Sequence, residues 1–414
     1  MNRRGIRYYG WAVVAAAFTL MFIGFGVVYS FAAFFRAFQA EFNAPRADVS
    51  FVFSLCAFLY FLLGAPAGML TDRIGPQRVA LFGAAALALG LVGASFSSSL
   101  GGLYLTYSLG IGVGVGLTYV PSVGAVQPWF LRRRALATGI AVAGIGAGNL
   151  LVPPLAAWWI EIYGWRGAYL VLAGFAFVLA GAAALVIDNN PARRDRRTGK
   201  NLAPPRMEKS TDGATLGEAL RARNFWVLYG SLFLPTIGVF VPMVHMAPYA
   251  TDRGHPGSSG VLLVSLIGLG SLLGRFSIGG LADRYGRLRT MGLMYAGLGV
   301  SFLGWWQSQS LWALIVVSIG MGLFYGGFVA TMPAVVMDIF GGRAVSAIIG
   351  WLYTAPGLGT LIGPPLAGYA FDRLGSYDIP IVGAAVLCFL GAVGVQLVNV
   401  VRDKDWIDGV SGKA

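Results

Sequence analysis

Charged residues are scarce in this sequence. Asp, Glu, Lys and Arg make up 11% of its 414 residues, while 57% of the residues are hydrophobic and the mean hydropathy is +0.71. Soluble globular proteins carry about 25% charged residues, so this composition excludes an ordinary soluble protein. Cysteine is also rare. Cys56 and Cys388 are the two in the chain and both fall in apolar stretches, which argues against a disulfide framework.

Groups that perform acid–base or metal chemistry are similarly few. The sequence has two histidines, and one of them, His255, lies in a polar segment between apolar stretches. The apolar stretches contain no cluster of carboxylates. A membrane enzyme needs a convergent set of nucleophile, base or metal ligands. We therefore predict that the protein is not an enzyme and has neither a metal site nor a cofactor.

Long apolar stretches are what the sequence has instead. A helix that crosses a bilayer needs about 20 residues, and twelve stretches meet this length. The first follows Arg3, Arg4 and Arg7 and is longer than the core of a signal peptide, so we predict an uncleaved first span. The predicted spans 1 to 12 are residues 11–35, 50–70, 79–97, 103–126, 136–160, 167–187, 225–250, 258–281, 290–307, 311–335, 344–369 and 379–401.

The net charge of +13 has an uneven distribution along these spans. With the N-terminus inside, Arg275 falls within the membrane, five basic residues fall outside and the other lysines and arginines fall inside. This asymmetry is the positive-inside pattern of membrane proteins, so we predict a lipid bilayer rather than a nucleic acid as the partner of the basic surface. We expect a multi-pass protein of the cell's inner (cytoplasmic) membrane with both termini in the cytoplasm. The five outer residues are Arg36, Arg46, Arg166, Arg253 and Arg373.

One long polar segment divides the chain. Residues 188–224 are rich in Arg, Pro, Asn and Lys, which is typical of a cytoplasmic linker. We therefore predict an N-terminal half of six spans (1–187), the linker, a C-terminal half of six spans (225–401) and a cytoplasmic tail (402–414).

The two halves repeat each other. Residues 68–78, GMLTDRIGPQR, recur as residues 279–289, GGLADRYGRLR, which is an offset of 211. Residues 152–156, VPPLA, recur as residues 363–367, GPPLA, at the same offset. Because two unrelated segments agree on one offset, the sequence indicates an internal duplication. Parallel six-helix repeats with the substrate between them are typical of major facilitator transporters.

The repeated element itself resembles the loop signature of the major facilitator superfamily between spans 2 and 3 and between spans 8 and 9. The resemblance implies an all-α integral membrane protein with the major facilitator fold, which has 12 transmembrane helices in two six-helix halves. Its carboxylate can face a helix N-terminus of the other half in one state and lose that contact in another. We predict a gate at the inner end, formed by Asp72, Arg73, Arg78, Asp283, Arg284, Arg287 and Asp338.

Three further segments resemble the monocarboxylate transporter family and its bacterial oxalate/formate antiporter-like relatives. Residues 9–14, YGWAVV, are similar to the family's Gly-Trp start of span 1. Residues 129–144, WFLRRRALATGIAVAG, are similar to its span 5 pattern and are the most specific match. Residues 164–166, GWR, resemble a common start of span 6. The resemblance extends over both halves.

Arg275 lies where an arginine is costly, inside the apolar run 260–278. A guanidinium within a span costs at least about 2.5 kcal/mol and calls for an anionic partner. Few fixed carboxylates lie at that depth, so we predict that the partner is a small organic anion that the protein carries. In the family resembled above, the span 8 arginine binds the substrate carboxylate, and Arg275 is the matching position. The structural alternative is that Arg275 pairs with helix-end carbonyls or reaches the inner surface.

The sequence departs from the family at charged positions. Ser271 stands where the animal members have an aspartate, and Tyr29 stands where they have a lysine, so their proton path does not transfer to this chain. Span 11 also lacks the lysine of oxalate carriers. One buried cation matches one carboxylate, since a dianion would bring an unpaired charge into the membrane. We therefore predict a monocarboxylate rather than oxalate.

Other polar residues within the spans are candidates for contacts with the substrate or with protons. Tyrosine hydroxyls can donate to a carboxylate while their rings pack against an apolar tail, although each residue can equally be a packing residue. We predict substrate contacts for Tyr29, Tyr119, Tyr325 and Asn149. His245 can change its charge near physiological pH. With Asp252, it is a candidate for proton coupling near the outer mouth.

The leading hypothesis is a secondary active transporter of a small monocarboxylate of the lactate, pyruvate, acetate or formate type. It would be proton-coupled and would work by alternating access. The first alternative is an antiporter that exchanges carboxylates of the oxalate/formate type. The second is a drug efflux carrier, which would favour a buried acidic residue in the cavity, and spans 1, 4, 5 and 7 contain none.

Overall fold

A computed structural model describes residues 4–130, 134–189 and 213–398. These residues form helices and no β-strand. Most of the predicted linker, all of the predicted tail, and Arg132 and Arg133 of the span 5 motif lie outside the described residues. The helices are Arg4–Tyr29, Phe31–Phe42, Arg46–Leu62, Gly64–Ile74, Pro76–Ser95, Leu100–Leu103, Tyr104–Ile111, Gly112–Val126, Gln127–Trp129, Arg134–Phe175, Ala176–Ala180, Gly181–Val186, Leu216–Arg221, Arg223–Val239, Val241–Asp252, Gly257–Tyr285, Arg287–Gln307, Leu311–Phe340, Val345–Leu352, Thr354–Leu374 and Asp378–Gln396.

Every predicted span falls on these helices, apart from residues 399–401 of span 12, which lie outside the described residues. Within the described residues, nine helical stretches are long and apolar enough to cross a membrane, or ten with the bent pair Arg46–Leu62 and Gly64–Ile74. The stretch Leu136–Val186 holds spans 5 and 6, which separate at Gly164. Span 9 is the helix Arg287–Gln307. Lipid offers the backbone no hydrogen-bond partners, so apolar spans fold as helices. The predicted all-α membrane protein is confirmed.

The duplication is visible in the backbone. Gly75 and Gly286, which are 211 residues apart, end corresponding helices with φ of +89° and +94°. Gly164 and Gly375, at the same offset, both have φ of +68°. Glycine adopts positive φ without the steric cost that other residues meet. The same turns therefore recur at the same places in both repeats, as an internal duplication implies, and the bounds of the two six-helix halves stay a prediction.

A pair of side-chain hydrogen bonds repeats in the same way. Gln77 Nε2 donates to the carbonyl of Leu185 at 2.6 Å, and Gln396 Nε2 donates to the carbonyl of Leu288 at 3.2 Å. The offset of 211 relates Gln77 to Leu288 and Leu185 to Gln396. The two halves thus keep the same contact with donor and acceptor exchanged, because the duplication conserves the positions and not the residue types.

Span 8 carries Arg275, and small residues hold it close to its neighbours. A Cβ on Gly268 would lie 2.6 Å from the backbone nitrogen of Leu150 in span 5. A Cβ on Gly270 would overlap the carbonyl oxygen of Ile319 in span 10. Small residues let helices in lipid approach to backbone contact. Span 8 is therefore fixed between the other half of the molecule and span 10.

We expect Gly270→Ala to destabilise the protein by about 1–3 kcal/mol, the usual cost of overpacking, because the added methyl group would force span 10 away from span 8. The measurement is the midpoint of thermal unfolding in detergent. The control is Gly280→Ala on the same helix, where an added Cβ has nothing within 4 Å. Equal midpoints for the two variants would contradict this account of the packing.

Candidate functional site

A cavity lies between the two halves. Spans 1, 2, 4 and 5 of the first half and spans 7, 8, 10 and 11 of the second contribute to its wall. Its volume is about 750 Å³ when the part open to solvent is included. The lining residues are Phe25, Tyr60, Phe61, Gly64, Tyr119, Ile145, Leu232, Thr236, Phe240, Arg275, Tyr325, Phe328, Val329, Met332, Tyr353 and Pro356.

Arg275 is the one charged residue in this lining, and its guanidinium is only partly satisfied. Nε donates to the hydroxyl of Ser271 over a long 3.4 Å. One terminal nitrogen, Nη2, is buried and has no hydrogen-bond partner among the described residues. Within residues 4–130, 134–189 and 213–398, no ion pair includes Arg275. An unsatisfied buried donor on a cation costs free energy. An anion that accepts a hydrogen bond from Nη2 would remove this cost.

Tyrosine hydroxyls surround this cation. Those of Tyr29 and Tyr325 lie 3.3 Å apart, within hydrogen-bond reach. Tyr29, Tyr325 and Tyr353 are all close enough to Arg275 to interact with its charge. The Tyr60 hydroxyl is buried in the same region, and it has no hydrogen-bond partner in the part of the chain that the structure describes. The polar part of the cavity is thus one guanidinium beside neutral phenols.

Three of the five residues predicted to bind substrate line the cavity, and two do not. Arg275, Tyr119 and Tyr325 line the cavity. Tyr29 lies behind the lining, 1% exposed, with its hydroxyl against that of Tyr325. Asn149 is 2% exposed and is not among the lining residues. Its Nδ2 faces the sulfur of Met243 at 3.8 Å, and its Oδ1 has no partner in the described part of the chain.

Ser271 and Tyr29, which stand where the family has charged residues, both lie near Arg275. Ser271 accepts the long hydrogen bond from Nε, and Tyr29 holds the hydroxyl of Tyr325. Both residues are neutral. No carboxylate at these two positions neutralises Arg275, and no second cation there adds to its charge. The positive charge that faces the cavity is therefore a single one.

Aromatic rings form a continuous wall around the rest of the cavity. Ring centroids lie 5.5 Å apart for Phe25 and Tyr60 and 4.5 Å apart for Tyr60 and Phe61. Phe61 of the first half then meets Phe240 and Tyr353 of the second, both at 6.1 Å. Distances of 4.5–7 Å with tilted or edge-on rings are those of favourable aromatic pairs. This wall bridges the two halves.

At the end of the molecule that is predicted to face outwards, an ion pair joins the two halves. Arg46 contacts both oxygens of Asp252, at 2.6 and 2.9 Å, and lies 3.7 Å from the ring centroid of Phe371. It also donates to the Tyr377 hydroxyl at 2.8 Å. The backbone nitrogens of Arg46 and Ala47 donate to the Asp372 carboxylate at 3.1 and 3.0 Å. We call Arg46, Asp252, Asp372, Tyr377, His245 and Ser50 the outer latch.

His245 is the inner member of the latch. It is fully buried. Nδ1 lies 2.9 Å from the Tyr377 hydroxyl, and Nε2 lies 2.8 Å from the Pro364 carbonyl and 3.1 Å from the Ser50 hydroxyl. Phe240, which lines the cavity, comes five residues before His245. The two residues predicted for proton coupling, His245 and Asp252, therefore lie in the outer closure and not in the cavity.

The predicted gate residues lie at the other end of the molecule. Arg287 and Asp338 form an ion pair at 2.6 Å within the second half. The side chain of Asp283 lies outside the described residues. In the remaining described part of this end, no ion pair joins the two halves. The exposed members are Asp72, Arg73, Arg78, Arg284 and Asp338.

Sequence reasoning missed most of the aromatic lining and Arg46, although the duplication carried a signal for part of it. The offset of 211 relates Gly64 to Arg275, Phe25 to Thr236 and Ile145 to Pro356, and all six residues line the cavity. Subtracting the offset from Arg275 would thus have identified Gly64 as a lining residue of the first half. No comparable signal pointed to Arg46, whose partners come from distant spans.

Comparison with known proteins agrees with this architecture. The family model described as Major Facilitator Superfamily matches residues 14–281 and 262–410. The chain is 30% identical to monocarboxylate transporter 13 of Bos taurus over 387 residues, which cover 93% of this chain and 88% of that protein. It is 31% identical to monocarboxylate transporter 11 of Mus musculus, over 89% of this chain and 83% of that protein.

Monocarboxylate transporter 12-B of Danio rerio is similar over a comparable length, with 29% identity across 89% of this chain and 82% of that protein. Matches of this extent cover both halves, the cavity and the helices that form the outer latch. The resemblance drawn from the span 1, span 5 and span 6 motifs is confirmed, and the chain belongs to the monocarboxylate transporter family of the major facilitator superfamily.

Proposed function

We propose that this transporter carries an organic monocarboxylate by secondary active transport, and that Arg275 binds the carboxylate. The buried Nη2 of Arg275, which lacks a partner in a cavity between the halves, is the observation that supports this proposal. A guanidinium can bind a carboxylate through two parallel hydrogen bonds, which fix its orientation as well as its charge. The phenols of Tyr325 and Tyr353 are the nearby neutral donors.

Alternating access accounts for the two ends of the molecule. The outer latch joins the halves, while the described part of the inner end has no ion pair between them. The binding cavity lies on the inner side of this latch. Rocking of the halves about the close contact between spans 5 and 8 would open the latch and close the inner gate formed by Asp72, Arg73, Arg78, Asp283, Arg284, Arg287 and Asp338.

Proton coupling is part of the proposal, with His245 and Asp252 as the candidate groups. Both lie in the outer latch, so a proton bound there would act on the opening of the latch rather than directly on the substrate. The membrane is the cell's inner membrane, with both termini in the cytoplasm, as the distribution of basic residues favours. Carboxylate exchange is the alternative mode, because a single cation that binds a carboxylate serves symport and exchange equally well.

The experiment is uptake of radiolabelled L-lactate into proteoliposomes that contain the purified protein. We expect uptake above that of empty liposomes, and we expect an inward proton gradient to stimulate it if the proton is coupled. Preloading the vesicles with unlabelled lactate, formate or oxalate tests exchange. Uptake that ignores the gradient but needs an internal acid would replace symport by exchange. Absence of binding and transport of every carboxylate by folded protein would overturn the proposal.

A further inference from the structure

The residues that line the cavity indicate the chemistry of the substrate's body, the part of it other than the carboxylate. Sixteen residues line the cavity. Eight of them are aromatic, and most of the others are aliphatic or glycine. The only polar members besides Arg275 are Thr236 and the tyrosines.

The hydrogen-bonding capacity of the wall is largely used within the protein. The Thr236 hydroxyl is directed at the backbone carbonyls of Leu232 and Phe233, at 2.8 and 2.9 Å. The Tyr325 hydroxyl is shared with that of Tyr29. Among the described residues that line the cavity, the buried donors left over are Nη2 of Arg275 and the hydroxyl of Tyr60. A substrate with many hydroxyl groups would leave several of them unsatisfied in this cavity.

The charges of the wall restrict the substrate further. The lining contains no Asp or Glu, so an amino acid would bring an ammonium group that finds no carboxylate. The lining contains no Lys or His and no second Arg, so a dicarboxylate would bring a second, uncompensated negative charge. Both cases carry the cost of an unpaired charge in a site of low polarity. The substrate therefore has one carboxylate and no other charge.

The body of the substrate faces aromatic rings. Phe61 lies at the junction of the halves, in contact with the rings of Phe240 and Tyr353. On the second half, Phe328 lies 5.6 Å from Tyr325, ring centre to ring centre. Acetate or formate would leave this surface in contact with water. A flat apolar group would instead pack against ring faces and edges.

We propose that the preferred substrate is a monocarboxylate with an uncharged apolar body about the size of an aromatic ring, of the arylalkanoate type. This inference rests on the proposed function and narrows it. Arg275 holds the carboxylate, and the wall formed by Phe25, Tyr60, Phe61, Phe240, Phe328 and Tyr353 covers the ring. Acids of the lactate and acetate type then bind through the same arginine but with lower affinity, because they bury less apolar surface.

The test is competition binding and uptake with the purified full-length protein, using acetate, L-lactate, phenylacetate, phenylalanine and phthalate. We expect phenylacetate to bind about 10- to 100-fold more tightly than acetate, as burial of a ring-sized apolar group implies. We expect phenylalanine and phthalate to compete poorly. Acetate or lactate binding as tightly as phenylacetate would overturn this inference and leave monocarboxylate transport standing. If no acid binds to folded protein, the proposed function fails as well.

Variants of the wall give an independent readout. Phe61→Leu keeps an apolar side chain and removes the ring, so we expect it to weaken phenylacetate binding severalfold and acetate binding by less. The control is Phe276→Leu, which removes a ring 56% exposed at the lipid-facing surface one residue after Arg275. We expect Phe276→Leu to change neither affinity. Equal loss of both affinities in Phe61→Leu would mean that the ring supports the fold and not the substrate.

Discussion

Arg275→Gln is expected to abolish carboxylate transport, with a loss of at least about 100-fold in the initial rate of uptake. Glutamine keeps a polar side chain, although a shorter one, and removes the charge that faces the cavity. A hydrogen bond to a charged group contributes about 1.5–3 kcal/mol, and a guanidinium makes two such bonds to one carboxylate. The initial rate in proteoliposomes at low substrate concentration measures the loss.

Arg275→Lys separates charge from geometry. Lysine restores the positive charge but acts as a single point, whereas the planar guanidinium matches both carboxylate oxygens. We expect Lys to recover part of the binding and little of the transport. Arg36→Gln, which removes an exposed arginine near the end of the span 1 helix, is the control for net charge. If Arg275→Gln folds and still transports at the wild-type rate, Arg275 is structural and does not bind the substrate.

The architecture was predictable from the sequence for physical reasons. Lipid permits few alternatives to a helix for an apolar stretch of about 20 residues, so the spans could be placed within a few residues. The constant offset of 211 revealed the two halves. One local feature was less predictable. The helices of spans 5 and 6 meet at Gly164, where a φ of +68° breaks the helical backbone. The sequence pattern predicts apolarity and not the angle at such a break.

The charged centre of the site was predictable, and its neutral surroundings were less so. Arg275 stood out because a cation inside an apolar run has few explanations. Tyrosines and phenylalanines occur throughout the spans, and nothing in a single sequence distinguishes Tyr60, which faces the cavity, from Tyr295, which is buried elsewhere. That distinction depends on the rotation of each helix, which is set by packing against helices distant in the chain.

The outer latch was invisible in the sequence for a related reason. Arg46 follows a short loop and looked like one of five scattered outer arginines. Its importance comes from Asp252, Asp372 and Tyr377, which lie more than 200 residues away in the chain. A charge pair between halves becomes evident only when the halves are placed together. The role of Arg46 therefore follows from the structure and not from the sequence.

Arg46→Gln is expected to shift the protein towards a state that is open at the outer end. The substitution removes the ion pair to Asp252, the hydrogen bond to Tyr377 and the stacking on Phe371, all of which join the two halves. It also leaves the carboxylate of Asp252 without this cation, while the backbone donors to Asp372 remain. Breaking a partly buried charged contact of this kind costs about 1–3 kcal/mol, which changes the ratio of closed to open populations by about 5- to 150-fold.

The distance between spin labels at Ala40 and Ile379 measures this shift, because both are exposed near the outer end of different halves. We expect a longer distance to become populated in Arg46→Gln and in Asp252→Asn. The double variant should add little to either single variant, since both residues belong to one contact.

Arg166→Gln is the matched control. Arg166 pairs with Glu41 at 2.9 Å and lies 4.1 Å over the ring of Trp165, all within the first half. Its loss removes an arginine at the same end without removing a contact between halves. Identical distance distributions in Arg46→Gln and the wild type would show that the outer closure is held by helix packing alone. A longer distance in Arg46→Gln that Arg166→Gln lacks would assign the closure to this ion pair.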